Sequence, residues 1–355
     1  MFDLQDVLAD PAAFRQALQT GEPYQPRYVK IKLTWRCNLR CVMCNVWRQR
    51  KKSLLTLPVM ESLADELVSL GTTKVHLTGG EVLLHPYIFE IIAALSQRGL
   101  QVNLTSNGTL LNAENAGRLV ESGAQNVSLS LDGASAAVHD AVRGKGNWKR
   151  TLRGVRNLRR AAKHAHRKLH IRVNTVVSRM NYLDLADMPG IIHQAGADRL
   201  TLIPVDDQGE HLRLNKQRIL EYNQRIAPSL AAQALELGLF HAEEQAYPFG
   251  RTMAEIEWSK QGGYARGLYQ QQPCYIPWLH ALITPQGQVH PCCMLRSLPP
   301  IGNFIQAGSF RQVWLGSRYQ DFRGEMLGGS QPPLCQACDD FLEVNRQLHA
   351  VVQAA

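Results

Sequence analysis

The sequence predicts an α/β fold built on parallel strands, and three observations carry that prediction. Short β-rich runs alternate with helical patterns six times between Tyr28 and about Val205. The helical segments hold their apolar residues on one face, and glycines follow them where C-terminal caps belong. Clusters of Cys, Gly, Ser and Asn fall at the carboxyl ends of the β-rich runs, where parallel α/β folds bind their ligands.

The six runs are 29–34, 74–78, 101–105, 126–131, 170–177 and 199–204. Between the first two, Leu63, Leu67 and Leu70 share a helical face; Ile88, Ile91, Ile92 and Leu95 share another after the second. Gly71, Gly99, Gly123 and Gly196 supply the stops. Strand–helix units in series join parallel strands through crossovers. They close into a barrel or stay an open doubly wound sheet, and the pattern is compatible with both. Residues 211–238 again read as helical. Residues 240–270 are mixed, contain Gly262, Gly263 and Gly267, and suit a linker or lid. From Pro273 onward the chain turns to short β-like pieces, prolines and five cysteines, the texture of a small second domain.

With 355 residues and 45% hydrophobic content, one large catalytic domain plus a smaller one is the expected organisation. No apolar run approaches the roughly 18 residues of a membrane span. The acidic start MFDLQDVLAD is not a secretory signal, so a cytoplasmic protein is expected. The net charge is +9, with much of the excess between Lys145 and Arg172. There Leu152, Val155, Leu158 and Ala162 recur at helical spacing, so the basic residues read as a solvated helix face. Aromatic interleaving and nucleic-acid motifs are lacking, and no nucleic-acid partner is expected. The charge suits an anionic substrate or an acidic electron donor.

Eight cysteines stand in two groups, 37, 41, 44 and 274, 292, 293, 335, 338. In a cytosolic chain such groups read as metal or redox sites rather than disulfides. Cys37, Cys41 and Cys44 follow the first strand with CxxxCxxC spacing. Ordinary clusters take four thiolates, and structural zinc takes four ligands. Three close thiolates without a nearby fourth therefore point to an iron that binds something else, with a zinc site or incidental cysteines as the alternative.

The segment CNLRCVMC resembles the motif of the radical S-adenosylmethionine (SAM) superfamily. That resemblance implies a 4Fe-4S cluster on Cys37, Cys41 and Cys44 whose open iron chelates SAM. It further implies reductive cleavage to a 5′-deoxyadenosyl radical, which abstracts a hydrogen atom from the substrate. Gly79, Gly80 and Glu81 resemble the family's GGE motif, where glycines permit close backbone approach to the SAM methionine. Ser106 and Asn107 end the third run and Ser130 the fourth, with Arg143 beyond. By likeness Ser130 meets the SAM ribose, Arg143 meets its carboxylate, and Ser106 and Asn107 join the cofactor site. Asn174 faces either the site or ordinary strand surroundings. The likeness covers residues 28–205 and implies a partial (β/α)6 barrel. The expected division is an extension at 1–27, the barrel at 28–240, a linker or lid at 241–270 and a cluster domain at 271–355.

Cys274, Cys292, Cys335 and Cys338 suffice to ligate one more centre. With Gly287-Gln288-Val289-His290-Pro291-Cys292 and Trp314-Leu315-Gly316 they resemble the SPASM and twitch auxiliary-cluster domains. Five cysteines suit one auxiliary 4Fe-4S cluster rather than two; a zinc ribbon is the alternative. Cys293 is a spare, a substitute ligand or a hydrogen-atom donor. An auxiliary cluster can take an electron from a substrate radical. The expected reaction is therefore dehydrogenation of a small hydroxylated metabolite, with flavodoxin or ferredoxin as reductant. Alternatives are an epimerase with Cys293 or another thiol as hydrogen donor, a peptide-modifying SPASM enzyme, and, outside radical chemistry, an electron carrier or zinc-stapled binding protein. Trp278, His280 and Asp132 are candidate substrate contacts.

Overall fold

The computed structural model describes residues 4–49, 53–206 and 210–353. The outer ends of the expected first and last domains, residues 1–3 and 354–355, lie outside that range. The strands are β1 (Tyr28–Thr34), β2 (Lys74–Gly79), β3 (Gln101–Ser106), β4 (Asn126–Ser130), β5 (His170–Val177), β6 (Arg199–Pro204), β7 (His280–Ile283), β8 (Gln288–His290) and β9 (Gly302–Asn303). They form one sheet in the order β6-β5-β4-β3-β2-β1-β7-β8-β9. The six strands β1 to β6 run parallel in chain order, each joined to the next through helical crossovers, as in a partial (β/α)6 barrel.

Strands buried on both faces normally read as continuous apolar runs. These strands alternate instead. Val29, Ile31 and Leu33 of β1, Val75 and Leu77 of β2, Val102 and Leu104 of β3, and Val127 and Leu129 of β4 are fully buried in the main core with the crossover helices. The alternate positions carry Lys30 and Lys32, His76 and Thr78, Asn103 and Thr105, Ser128 and Ser130, Arg172 and Asn174. Side chains of a strand project to opposite faces in turn, so the second set lines the concave interior. Register confirms the rows: Lys30 pairs with His76, His76 with Asn103, and Asn103 with Asn126. The result is a polar chamber whose outer wall is the hydrophobic core.

The C-terminal cysteine region does not form a detached unit. Its first strand, β7, adds to β1 in parallel, Tyr28 opposite His280 through Ile31 opposite Ile283. The antiparallel strands β8 and β9 extend that edge. The helix Pro11–Thr20 belongs to the same body: Phe14 is buried edge-on against Tyr24 and Tyr275, and Arg15 donates to the Val351 carbonyl. Residues 241–270 are ordered, with a helix at Met253–Ser259, and Tyr264 donates to the Val205 carbonyl.

A buried guanidinium ties this body together. Arg323, on the helix Ser317–Leu327, is fully enclosed, lies 4.4 Å from the Trp314 ring and 4.1 Å from the Tyr319 ring, and donates to the Pro277 and Trp314 carbonyls. Burial lowers its pKa to about 10. Arg323→Met strips two buried carbonyls of their donor. We expect a loss of about 2 kcal/mol, read as a lower melting temperature of the reconstituted protein.

Candidate active site

The loop after β1 is shaped by backbone contacts with the end of β2. The pairing of β1 with β2 skips a residue between Lys32 and Thr34, opposite Thr78 and Gly79. Gly80 donates to the Thr34 carbonyl at 2.8 Å, and Glu81 donates to the Arg36 carbonyl at 2.8 Å. A Cβ on Gly80 would stand 2.0 Å from the Arg36 oxygen; one on Gly79, whose φ is +135°, would stand 2.3 Å from the Thr34 oxygen. The two glycines thus admit the cysteine loop itself. That contact with the chain adds a second reason for glycine at two positions that also line the cavity.

Glu81 is fully buried and lies outside the cavity wall. Its carboxylate accepts from Ser106 Oγ at 2.7 Å, Asn107 N–H at 2.7 Å and Leu83 N–H at 3.2 Å. Burial is the largest influence on its pKa and raises it, against those donors. Asn107 reaches on to Asn38 in the cysteine loop at 2.8 Å.

These elements enclose a cavity of about 680 Å³ at the carboxyl ends of the parallel strands. Cys37, Cys41, Cys44, Gly79, Gly80, Ser106, Asn107, Ser130 and Arg143 all line it. Backbone N–H groups of Leu39 and Val46 approach the sulfurs of Cys37 and Cys44 at 3.4 Å, as donors to cluster thiolates do. Arg143 sits beside the third: its Nη1 is 3.7 Å from Cys41 Sγ, while its Nε donates to Asp132 at 2.5 Å. Asp132 and Cys41 hold its pKa up against burial. Asp132 is itself fully buried and accepts from the Val176 N–H, so it anchors the arginine and is no substrate contact. Burial raises the thiols of Cys37 and Cys41, and Arg143 opposes that rise at Cys41. The donor set, the free thiols and the compensating cation fit a cluster with an open iron.

Across the cavity stand Lys32, Trp35, Thr284, Gln286, Gln288, His290 and Arg296. The Lys32 ammonium lies 4.9 Å from the Trp35 ring centroid. Burial first, then Arg296, pushes it down to about 8, and among the described residues no carboxylate pairs with it. Arg296 pairs with Asp206 just beyond β6, so exposed Asp206, Arg296, Ser297 and Leu298 mark the mouth. Lys32 and Arg296 are residues that sequence reasoning missed. The alternation in β1 was the signal for Lys32; nothing local marks Arg296. The Asn174 side chain does not line the cavity, and its Oδ1 is buried without a partner.

Cys274, Cys292, Cys335 and Cys338 gather in the second core, within electrostatic reach of one another. Burial pushes Cys274 to about 11 and Cys335 to about 12, so these thiols stay protonated until a metal displaces the proton. Among the described residues no three His, Cys, Asp or Glu side chains converge as a single ion requires. Asn345, which the sequence did not flag, organises this core: it accepts from Tyr275 N–H and donates to Tyr269 Oη and toward Cys274 Sγ at 3.5 Å. Cys293 does not line the cavity; its thiol donates to Asp340, which pairs with Lys30 of β1. Trp278 and His280 are fully buried, His280 against the Tyr28 carbonyl and ring, and neither reaches the cavity.

Known proteins match both halves of this arrangement. The model of the radical SAM superfamily matches residues 31–188, and that of SPASM, an iron-sulfur cluster-binding domain, matches residues 274–339. The chain is 30% identical to the AdoMet-dependent heme synthase of Methanosarcina barkeri over 81% of this chain and 82% of that protein. The chain belongs to the radical SAM superfamily. This radical SAM enzyme is also 29% identical to the mycofactocin maturase MftC of Mycobacterium ulcerans, over 87% of this chain and 79% of the maturase. It is 26% identical to the PqqA peptide cyclase of Streptomyces rochei, over 89% and 82%. Its fold matches that of SuiB from Streptococcus suis at a TM-score of 0.65 and 14% identity, covering 97% of this chain and 79% of SuiB. A radical SAM domain carries a 4Fe-4S cluster and SAM, and a SPASM domain carries auxiliary iron–sulfur chemistry. No described helix is long and apolar enough to cross a membrane.

The glycine geometry gives a direct test. Gly80→Ala drives a methyl group into the Arg36 carbonyl, a backbone atom that cannot swing aside. We expect about 1–3 kcal/mol of lost stability and a lower iron content after reconstitution, measured by melting and iron analysis.

Proposed function

We propose that this radical SAM enzyme modifies a peptide, taking a hydrogen atom from one of its residues. The observation that carries the reading is the match to the PqqA peptide cyclase, which runs through both domains. The maturase match has similar reach. The cavity supports it. Its 680 Å³ must admit the cluster and SAM, and what is left suits one side chain or a chain end. The exposed mouth lets the rest of a longer molecule stay outside. Dehydrogenation of a small hydroxylated metabolite, which the sequence favoured, has less support than this alternative. The epimerase reading needs a hydrogen-donating thiol at the cavity, and Cys293, its first candidate, does not line it.

Within that reading each group has a task. When bound, the cluster and SAM supply the hydrogen-abstracting radical. Ser130, Ser106 and Asn107 are proposed to orient SAM, and Arg143 to balance the charge beside Cys41. Lys32 and Arg296 are proposed to bind a carboxylate of the peptide through charge-assisted contacts. Cys274, Cys292, Cys335 and Cys338 are proposed to hold one auxiliary cluster, leaving Cys293 as the spare. A heme precursor is the second reading, favoured by the identity to the heme synthase.

The deciding experiment is anaerobic. Reconstituted enzyme is incubated with SAM and dithionite and with short peptides encoded beside its gene; a propionate-bearing iron porphyrin is run in parallel. We expect 5′-deoxyadenosine to rise with one peptide and a mass change confined to one residue. With Cys338→Ala, SAM cleavage persists and the modified peptide is lost. A response to the porphyrin alone would replace the peptide reading with the second one.

Binding should also depend on pH. Lys32 carries its charge below about 8 and loses it above. Peptide affinity therefore falls as pH rises through about 8. Lys32→Met should bind more weakly and flatten that profile, as read by fluorescence anisotropy of a labelled peptide.

A further inference from the structure

The helix Asn147–His164, in the crossover from β4 to β5, has an outer face that neither the cavity nor the core uses. Its inner residues Leu152, Val155, Leu158 and Ala162 are buried in the main core. On the outside Lys149, Arg153, Arg156, Arg160 and Lys163 are all exposed. Their spacing of four, three, four and three places them in one stripe along the helix. At the rise of an α-helix the stripe is about 21 Å long.

The stripe meets no counter-charge within the chain. No acidic residue occurs between Ala141 and Leu183. The helix packs between the helices Ala113–Glu121 and Met188–Ala195. On the first of these, Glu114 and Glu121 share the face of Arg118, which turns to Glu90 of the helix Ile88–Gln97, away from the stripe. The second contains no acidic residue, and Asp198 beyond it is taken up by Arg159 and the Ile171 N–H. Among the described residues none of the five cations pairs with a carboxylate. Like charges three and four residues apart weaken a helix, and Lys149 and Arg150 near its start oppose the helix dipole as well. An arrangement that costs the folded chain stability, and that nothing inside the chain relieves, fits a polyanion outside it.

One end of the stripe stands at the cavity. Trp148 Nε1 donates to the Gly133 carbonyl just past β4, and Asn147 Nδ2 donates to the carbonyl of Arg143, whose side chain lines the cavity. From there the stripe runs along the outer wall of the barrel, where an extended chain of about six residues would span it. The helix bears no exposed Phe, Tyr, Trp, Leu, Ile, Val or Met, so stacking on nucleic-acid bases and insertion among lipid tails lack support.

We propose that this stripe binds an acidic segment of the peptide substrate, a run of Asp and Glu that flanks the modified residue and stays outside the cavity. The inference rests on the peptide reading above and adds the chemical class of the flanking sequence. Each contact is an exposed ion pair and weak alone, so the affinity comes from several acting in line.

The test uses holoenzyme with SAM and a labelled synthetic peptide carrying a block of about six glutamates, beside one with glutamines in their place. Arg153→Glu, Arg156→Glu and Arg160→Glu are combined in one variant; none of the three lines the cavity. By fluorescence anisotropy the parent should bind the glutamate peptide about tenfold or more tighter than the glutamine peptide, and salt should weaken that binding. The variant should lose about tenfold or more, and the milder change of the same three residues to Gln should fall between. Formation of 5′-deoxyadenosine without peptide should keep the parental rate in both variants. With a peptide that the enzyme modifies, KM should rise in the variant while kcat holds. Equal binding of the two probe peptides by the parent, or undiminished binding by a folded variant, would overturn the proposal. So would tighter binding of duplex RNA or anionic vesicles to the same residues. Failure of the peptide reaction itself shows separately, as no modified peptide from the parent enzyme.

Discussion

The Glu81 carboxylate accepts hydrogen bonds from the ends of β2 and β3 while the Glu81 N–H holds the carbonyl of Arg36. Around this group the cysteine loop, the Gly79-Gly80 crossing and the Ser106-Asn107 turn are fixed relative to one another. A buried carboxylate without donors would be too costly to keep charged. Given three donors, it makes the alternatives costly instead, because moving any strand end strands a polar group away from water. The Arg143–Asp132 pair repeats the device on the other side of the cluster loop, where Asp132 is fixed by β5 and fixes the arginine near Cys41. The cavity is therefore pre-shaped by groups that mostly do not face it.

Such fixing is possible because the strands separate two environments. One face of each strand feeds a continuous apolar core with the helices; the other presents lysine, histidine, threonine, serine and asparagine to a shared chamber. Polar interiors need partners, and here they are local. His76 pairs with Thr105 at 2.8 Å, Asn126 with Asn103 at 2.8 Å, and Lys30 with Asp340 at 3.3 Å. Among the described residues Lys32, one step nearer the mouth, has an aromatic face beside it and no carboxylate paired with it, which leaves its charge available to a ligand.

Much of this was legible in the sequence. Strand runs agreed with the observed ones to within a residue or two because apolar residues on the helix-facing side and glycine stops are local signals. The cysteine spacing pointed to the cluster because three sequential thiols on one loop must meet. Where the sequence was silent, the partners are far apart in the chain. Asn345 reaches Cys274, Arg323 reaches Pro277, Arg296 reaches Asp206 and Asp340 reaches Lys30. For the glycine pair nothing in the sequence marked the backbone of the cysteine loop, 2.0 to 2.3 Å from where their Cβ atoms would stand, because that neighbour is some forty residues away in the chain. The union of β7 with β1 was also invisible, because a strand of four residues far from its neighbour carries no pairing signal.

That union has a mechanical consequence. Along β1 the two domains share a backbone ladder of four residue pairs, a stiff edge that resists parting. On the opposite side, the barrel rim meets the C-terminal domain at the mouth through the surface pair Arg296–Asp206, which water can replace at little cost. The ladder thus fixes how the two cysteine sites stand relative to each other, while the rim of the mouth is bridged by an exposed ion pair rather than by backbone.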